Sequence, residues 1–498
     1  MAKRKVRRKR AALATRSRES SLSLQKSDRE ITPQRSDQVS FEVLCRPRSG
    51  AGVVEMAAEL AGETADRYSP DEPTVHDVAR NLMELGFRVF LDETGTSVSA
   101  QGPHELFERR FQTALRKRER VYKTRERQQT VQFFDTKQDA PEPNVANVPG
   151  AMYVTINRPP LHFASPLPPP VGYYHLRVPG DVAMLTGASA AHRRNTPAGD
   201  RATGAGVRVA MLDTGFENHP YFQAHGYRLN PVAAADTSGA PDDDTNGHGT
   251  GEVANIFACA PDATVFGVKM GLNAVLSFDR AVALNADVIS CSWGYHLPGV
   301  TRLPIPLIPL YLRILTVVAR GTTVVFSAGN GHVGFPGMMR DVVSAGGVFV
   351  DNNGALRASN YASSFVSSIF AGRRVPDFCG LVGMRPRAVY IMLPIPDACD
   401  IDQDLGGTAF PNGDATARND GWGAFSGTSA AAPQIAGVCA LLLQKRAGLT
   451  PAQVKAILRA TATDVVAGQS AMGDAAGPGP DLATGTGLVN ALRAWQGA

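Results

Sequence analysis

The chain has 498 residues, which is long for one domain and sufficient for two domains with sizeable hydrophobic cores. Hydrophobic residues make up 43% and charged residues 19%, a balance that is typical of globular proteins and argues against disorder throughout. The net charge of +5 arises at one end, because residues 1–18 hold nine Lys and Arg and no acid; subtracting these nine charges leaves −4 for the remainder.

Residues 1–37 are predicted to form a basic, disordered tail. Most tails of this kind are solvated, so binding to nucleic acid or acidic lipid is the less favoured interpretation. No apolar run follows the tail as in a secretory signal peptide, and nothing later resembles a membrane-spanning segment. The six cysteines show no metal-ligand spacing, and we therefore expect reduced thiols and a cytoplasmic location.

Residues 38–115 are predicted to form a small α+β domain. In chain order the pattern predicts a strand at 39–45, helices at 54–67 and 74–85, a hairpin of strands at 87–91 and 97–100, and a helix at 103–115. Thr74 is suited to cap the second helix and Gly86 to end it. The resulting order is β-α-α-β-β-α.

Residues 116–170 are interpreted as a linker. Basic residues and glutamates alternate over 116–127, which is typical of a solvated helix face. A short strand is predicted at 152–156, and prolines at 159–160 and 166–170 indicate an extended spacer, with a ligand for a proline-binding domain as the less favoured alternative. A domain boundary is therefore expected near Val171.

Residues 171–498 show alternating strand and helix patterns, which predict a parallel sheet with helices on both faces. The predicted strands are nearly uninterrupted apolar runs at 207–212, 264–268, 287–292 and 323–327. Asp213 follows the first of them. Chemistry is expected there, because ligand sites of open α/β sheets lie at the carboxyl ends of strands.

Three motifs carry candidate catalytic residues in the order Asp, His, Ser. They are Asp213-Thr214-Gly215, the segment Asn246-Gly247-His248-Gly249-Thr250, and the segment Gly427-Thr428-Ser429-Ala430-Ala431-Ala432-Pro433. Ser429 precedes an apolar helical pattern, so it is expected at a helix N-terminus, where backbone N–H groups can stabilise a developing negative charge. A serine is a weak nucleophile alone and needs a base with a group that orients it.

These motifs resemble those of the subtilisin-like serine proteases, or subtilases. The resemblance runs from roughly Tyr173 to the C-terminus and implies an α/β fold, the subtilisin-like three-layer αβα arrangement with a mostly parallel sheet. It also implies a serine endopeptidase that hydrolyses protein or peptide substrates through an acyl-enzyme, without metal or cofactor. Ser429 would be the nucleophile, His248 the base and Asp213 the residue that orients His248.

Further segments resemble the family's oxyanion and substrate-binding regions. Ala328-Gly329-Asn330-Gly331 is similar to the segment that carries the oxyanion-hole asparagine, so Asn330 is expected to stabilise the tetrahedral intermediate. Ser292-Trp293-Gly294 resembles the edge to which an extended substrate adds as a β-strand, with the S1 pocket between this edge and Ala328-Gly329. The side chain of Trp293 either narrows a more distant subsite or packs in the core.

The α+β domain resembles the ferredoxin-like inhibitory propeptides of subtilases. This resemblance implies a zymogen whose own N-terminal domain is an intramolecular inhibitor, and predicts self-cleavage after Leu115. A partner-binding or sensory domain is the alternative. The whole chain could likewise be a regulatory or binding protein on a subtilase fold, active only when a partner displaces the N-terminal domain.

Two departures from the family pattern are expected to affect packing more than catalysis. Gly251-Glu252-Val253 stands where many subtilases have His-Val-Ala, and Ala430 stands where Met is often found. The acidic stretches at 242–244 and 397–404 are predicted to be solvated loops, with a calcium site in the second as the less favoured alternative.

Overall fold

The computed structural model describes residues 37–52, 68–90, 95–123, 128–159, 161–162, 173–410 and 412–498. The predicted helix at 54–67, residues 91–94 of the predicted hairpin and nearly all of the predicted basic tail lie outside the described residues. Within the rest of the chain, Val39–Ala498 forms one compact unit.

The N-terminal region forms a four-stranded sheet in the order β2-β3-β1-β6, covered by two helices. Its elements are β1 (Gln38–Cys45), α1 (Glu72–Glu84), β2 (Arg88–Phe90), β3 (Ser97–Pro103), α2 (His104–Phe111), β4 (Leu115–Lys123), β5 (Gln128–Thr136) and β6 (Ala151–Ile156). Phe41 lies at the centre of its core, where it makes edge-to-face contacts with Phe87, Phe107 and Phe111. Without the hairpin β4–β5, the strand and helix order fits a ferredoxin-like unit.

Several local predictions in this region were wrong. Asp71, not Thr74, caps α1, because its carboxylate accepts the backbone N–H of Thr74. Residues 116–123 belong to strand β4, which pairs with β5, rather than to a helix. The strand β6, assigned to the linker, pairs with β1. The division of the chain at residues 115 and 170 remains a prediction, and β6 adds a strand to the sheet that the first boundary would leave out.

The C-terminal region is built on an eight-stranded sheet in the order β10-β11-β9-β12-β14-β16-β17, with β20 beside β16. Its strands are β9 (Arg208–Asp213), β10 (Arg228–Ala233), β11 (Thr264–Lys269), β12 (Val288–Cys291), β14 (Thr323–Ser327), β16 (Val343–Val350), β17 (Leu356–Ala358) and β20 (Phe378–Leu381). All of these pairings are parallel except the one between β16 and β17. The four strands predicted from apolar runs are confirmed.

The remaining elements surround this sheet. The helices are α3 (Gly180–Leu185), α4 (Ala188–Ala191), α5 (Pro220–Ala224), α6 (His248–Cys259), α7 (Ala274–Ala283), α8 (Ile308–Ala319), α9 (Asp400–Leu405), α10 (Thr428–Lys445), α11 (Pro451–Thr461) and α12 (Ala491–Gly497). The short strands are β7 (Leu161–His162), β8 (Leu176–Arg177), β13 (Trp293–His296), β15 (Gly334–Phe335), β18 (Phe365–Val366), β19 (Arg374–Val375), β21 (Ile391–Pro394) and β22 (Trp422–Ala424).

Strand β9 separates two hydrophobic cores. Val209 and Met211 pack on the side of α6 and α10, whereas Ala210 and Leu212 pack on the side of α7 and α8. Successive side chains of a strand point to opposite faces, so a strand that is apolar throughout needs helices on both sides. The predicted α/β architecture is therefore confirmed.

Two helices follow from local sequence. Thr450 and Gln453 form a capping box at the start of α11, with Pro451 in its first turn, as predicted. Helix α10 is buried from Thr428 to Leu443 and packs against the same face of the sheet as α6. In the described residues, none of the helices combines the length and apolarity needed to cross a membrane.

Candidate active site

Asp213 and His248 meet at the carboxyl edge of the main sheet. Asp213 ends β9 and His248 begins α6, and their relative exposures are only 0% and 1%. Nδ1 of His248 donates a hydrogen bond to Oδ1 of Asp213 over 2.7 Å, because an ionised carboxylate can only accept. This pairing fixes the imidazole so that Nε2 is the nitrogen available for proton transfer.

The environment of His248 favours its cation. Burial acts to lower the pKa of His248, but the charge and hydrogen bond of Asp213 outweigh burial and, with smaller contributions from Glu252 and Asp244, raise it to about 9. An imidazolium that forms when His248 takes up a proton is therefore stabilised where it forms.

Asp244 holds the two segments of this pair together. Its side chain accepts hydrogen bonds from the Thr214 hydroxyl over 2.8 Å and from the backbone N–H groups of Gly247 and Thr250 over 3.0 and 2.9 Å. The prediction of a solvated acidic loop was thus wrong for Asp244, which is 3% exposed, although Asp242 and Asp243 are exposed.

Ser429 lies in the first turn of α10. Its hydroxyl is oriented toward the carbonyl oxygen of Ser292, 3.4 Å away, while the Ser292 hydroxyl donates to the Ser429 carbonyl over 2.8 Å. These two contacts join the nucleophile candidate to the strand edge at which a substrate is expected. On the other side, the ring of Phe425 stacks near the His248 ring, with centroids 6.3 Å apart.

Asn330 is anchored beside the same turn. Its Oδ1 accepts hydrogen bonds from the backbone N–H of Thr428 over 2.9 Å and from the Thr428 hydroxyl over 3.0 Å. Because the oxygen end is used in this way, Nδ2 is the end of the amide that can donate. Gly427 must be small, since a Cβ atom there would lie 2.5 Å from Nδ2 of Asn330.

The predicted substrate edge is strand β13 and the residue before it. Trp293 is fully buried and its ring contacts Phe326 and Phe278, with centroids 5.3 and 6.3 Å away. Of the two alternatives for Trp293, core packing is therefore what the structure shows. Ala328 is also buried, and Gly329 has a φ of 112°, a left-handed conformation that favours glycine.

Strand β7 already pairs with this edge. Leu161 lies opposite Gly294 and His162 opposite Trp293 in an antiparallel register. Strand β15 pairs with the following residues of β13, so the three form one small sheet in the order β15-β13-β7. Sequence reasoning placed residues 161–162 in a spacer and missed this contact.

The acidic stretch before β22 is structured. Residues Asp400–Leu405 form α9, and buried Asp402 accepts the backbone N–H groups of Ala398 and Asn419 over 2.9 and 2.7 Å. The prediction of a solvated loop was therefore wrong for Asp402. In the described part of the chain, no group of three or more His, Cys, Asp or Glu side chains is placed to hold a metal ion. All six cysteines are buried free thiols.

A comparison with protein families places this site in a known context. Residues 204–487, more than half of the chain, match the model of the subtilase family, peptidase S8. The chain belongs to the subtilase family. The matched residues include all four candidate catalytic residues, Asp213, His248, Asn330 and Ser429.

Similar proteins include bacterial subtilases. This subtilase is 27% identical to alkaline elastase YaB of Bacillus sp. (strain YaB) over 307 residues, which are 58% of this chain and 64% of that protein. It is 26% identical to subtilisin BL of Lederbergia lenta over 322 residues, 61% of this chain and 94% of that protein. The chain thus spans slightly under two thirds of the length of alkaline elastase YaB.

A solved structure shows the same fold. Fervidolysin from Fervidobacterium pennivorans, a keratinolytic enzyme related to subtilisin, aligns with a TM-score of 0.55 at 18% identity. The alignment covers 93% of this subtilase and 61% of fervidolysin. At this identity the likeness concerns the fold.

Proposed function

We propose that this subtilase is a serine endopeptidase that cleaves protein or peptide substrates with Asp213, His248 and Ser429. The buried hydrogen bond of 2.7 Å between His248 and Asp213, at the carboxyl end of β9, is the observation that carries this proposal. Acyl transfer by a serine needs a base whose orientation is fixed, and the first turn of α10 supplies Ser429 as the candidate serine.

The reaction would proceed in two halves. Ser429 Oγ attacks the peptide carbonyl carbon while His248 takes the hydroxyl proton, and Asp213 stabilises the imidazolium. The C–N bond then breaks as His248 returns the proton to the leaving amine, which leaves an acyl-enzyme. Water repeats the attack with the same proton transfers, so that the acid is released and Ser429 is restored.

Chemical labelling tests this assignment. A fluorophosphonate probe reacts with serine hydroxyls that a neighbouring base activates, so we expect a single adduct on the chain once its N-terminal region has been released, mapped to Ser429 by peptide mass spectrometry. Pretreatment with the probe should abolish hydrolysis of an unstructured protein substrate. Labelling at another residue, or hydrolysis that survives full labelling, would refute the assignment.

Asn330 is proposed to stabilise the oxyanion of the tetrahedral intermediate. Because its Oδ1 is held by Thr428, its Nδ2 is the donor for the developing charge. We expect Asn330→Ala to lower kcat by about 10²–10³ with little change in KM, as the loss of one such donor does in subtilisin. A steady-state assay with a peptide substrate measures this. An Asn330→Ala enzyme with unchanged kcat would remove Asn330 from the oxyanion site.

We further propose that the N-terminal region inhibits the site in the same chain. Strand β7 supports this role, because it adds to Trp293 and Gly294 as an extended substrate would. In its antiparallel register, His162 lies opposite Trp293, the residue after Ser292, whose carbonyl oxygen faces the Ser429 hydroxyl. A strand that occupies this edge excludes another peptide from it.

The N-terminal region is also anchored away from the edge, through Glu42. This buried carboxylate of β1 accepts hydrogen bonds from Ser97 over 2.8 Å, from Ser99 and, across the interface, from Nδ2 of Asn273 over 2.7 Å. The buried guanidinium of Arg313 lies nearby and adds an attractive charge. Leu44 and Tyr68 share a hydrophobic core with residues of α7 and α8.

The alternative is a regulatory protein that is active only when a partner displaces the N-terminal region. Both proposals predict a blocked full-length chain, and they differ in what releases it. Purified full-length protein that cuts itself and gains activity without any addition supports the zymogen. Activity that needs a second protein supports regulation by a partner.

A further inference from the structure

Glu252 is a buried acid that the proposed mechanism does not use. It lies one turn after His248 in α6, where positions four residues apart share a face of the helix, and its relative exposure is 0%. Its Oε2 accepts a hydrogen bond from Nδ2 of Asn255 over 3.0 Å. Its Oε1 has no hydrogen-bond partner in the part of the chain that the structure describes.

The orientation of the Asn255 side-chain amide is fixed by Gln434 of helix α10. Nε2 of Gln434 donates to Oδ1 of Asn255 over 3.1 Å, and Oε1 of Gln434 accepts the backbone N–H of Leu381 over 2.7 Å. The amide of Asn255 must therefore present its NH₂ group to Glu252. The buried face of α10, residues 428–443, has no Asp, Glu, Lys, Arg or His that could neutralise this carboxyl.

Around Glu252, the acidic groups outnumber the basic groups. Together with Glu252, the buried carboxyls of Asp213 and Asp244 act on the pKa of His248, the titratable base among these groups. Asp244 accepts four hydrogen bonds and Asp213 accepts from His248 and from the Thr214 N–H. Glu252 has a single neutral donor, so it is the least compensated of the three. Burial, with a smaller contribution from the charge of Asp213, raises the pKa of Glu252 to about 8 against the opposing effect of His248.

We propose that Glu252 is a positioning acid that titrates together with His248 and sets the pH at which the imidazole becomes a base. Its link to catalysis rests on the proposed function, but the shared titration does not. The first proton that the pair loses can come either from neutral Glu252 or from cationic His248. Ionised Glu252 beside cationic His248 is the form that cannot accept a proton from Ser429. The neutral base therefore appears at a higher pH than it would without Glu252.

The test follows the titration of His248 directly. We use the full-length chain carrying Ser429→Ala, labelled with ¹³C and ¹⁵N in histidine, and record the midpoint of the His248 signals by NMR. Glu252→Gln keeps the shape and the acceptor for Asn255 but removes the charge. We expect the midpoint to fall by about one pH unit, the lower end of the effect of one nearby opposite charge.

Two further variants complete the experiment. Glu252→Val, which restores the apolar residue of the family pattern, should lower the midpoint in the same way and replaces Glu252→Gln if that variant does not fold. Asp402→Asn is the matched control, because Asp402 is a buried carboxyl whose Oδ1 likewise has no partner in the described residues and whose Oδ2 faces Ala398 and Asn419. It should leave the midpoint unchanged.

The outcomes separate the two proposals. An unchanged midpoint in folded Glu252→Gln, or an equal shift in Asp402→Asn, overturns the role of Glu252. If the midpoint shifts as expected and the chain with Ser429 intact hydrolyses peptides, the acid limb of kcat/KM should move by the same amount. If the midpoint shifts and no serine-dependent hydrolysis exists, the shared titration stands and the proposed function fails.

Discussion

Replacing Ser429 by alanine is expected to reduce kcat by about 10⁶, the size of the loss when a subtilisin triad is deprived of its nucleophile. Without the hydroxyl, His248 has no proton to take and no acyl-enzyme can form. Hydrolysis of an unstructured protein, followed on a denaturing gel, measures the effect. Ser277→Ala removes another buried serine hydroxyl, in α7, and is the matched control with unchanged activity. Full activity in the Ser429→Ala chain would exclude the proposed mechanism.

The same variant should keep its full length. We expect the parent chain to cut itself on the C-terminal side of His162, because the register of β7 leads toward Ser292 and Ser429. N-terminal sequencing of the mature chain locates the cut. Equal cutting of parent and Ser429→Ala chains would end the idea of self-processing.

Glu42→Arg is expected to release the N-terminal region and raise the initial rate of the uncut chain by about 10²–10³. The substitution removes the acceptor for Asn273 and puts a second cation beside Arg313. Breaking a buried polar pair in this way costs about 3–5 kcal/mol, of which 1.4 kcal/mol corresponds to a factor of ten. Hydrolysis of a small peptide substrate, measured before any self-cleavage, reports the change.

A matched variant isolates the charge effect. Glu42→Gln keeps the size and one acceptor oxygen, so it should remain close to the parent rate. A parental rate in Glu42→Arg, with the N-terminal region folded by circular dichroism and limited proteolysis, would mean that docking at Glu42 does not control access to the site.

Local sequence was sufficient to predict those elements whose conformation depends on neighbouring residues. The apolar runs that end at Asp213 and Ser327 predicted central parallel strands, because strands of this kind are buried on both faces. Thr450 and Pro451 marked a helix start that the capping box completes. Predictions were less accurate for segments whose structure depends on pairing with a segment elsewhere in the chain. The basic stretch at 116–123 became β4 through pairing with β5, and β6 joined a sheet through β1, more than a hundred residues earlier.

The sequence by itself determined the family, the central strands and the identity of the candidate residues Asp213, His248, Asn330 and Ser429, since each lies in a short motif at the end of a buried element. Only the tertiary structure decided which acids are buried, that Trp293 faces the core, and that β7 pairs with the predicted substrate edge. Burial and charge balance depend on every segment packed around a group. Glu42, Asp244 and Glu252 therefore acquire their properties from partners that no local pattern specifies.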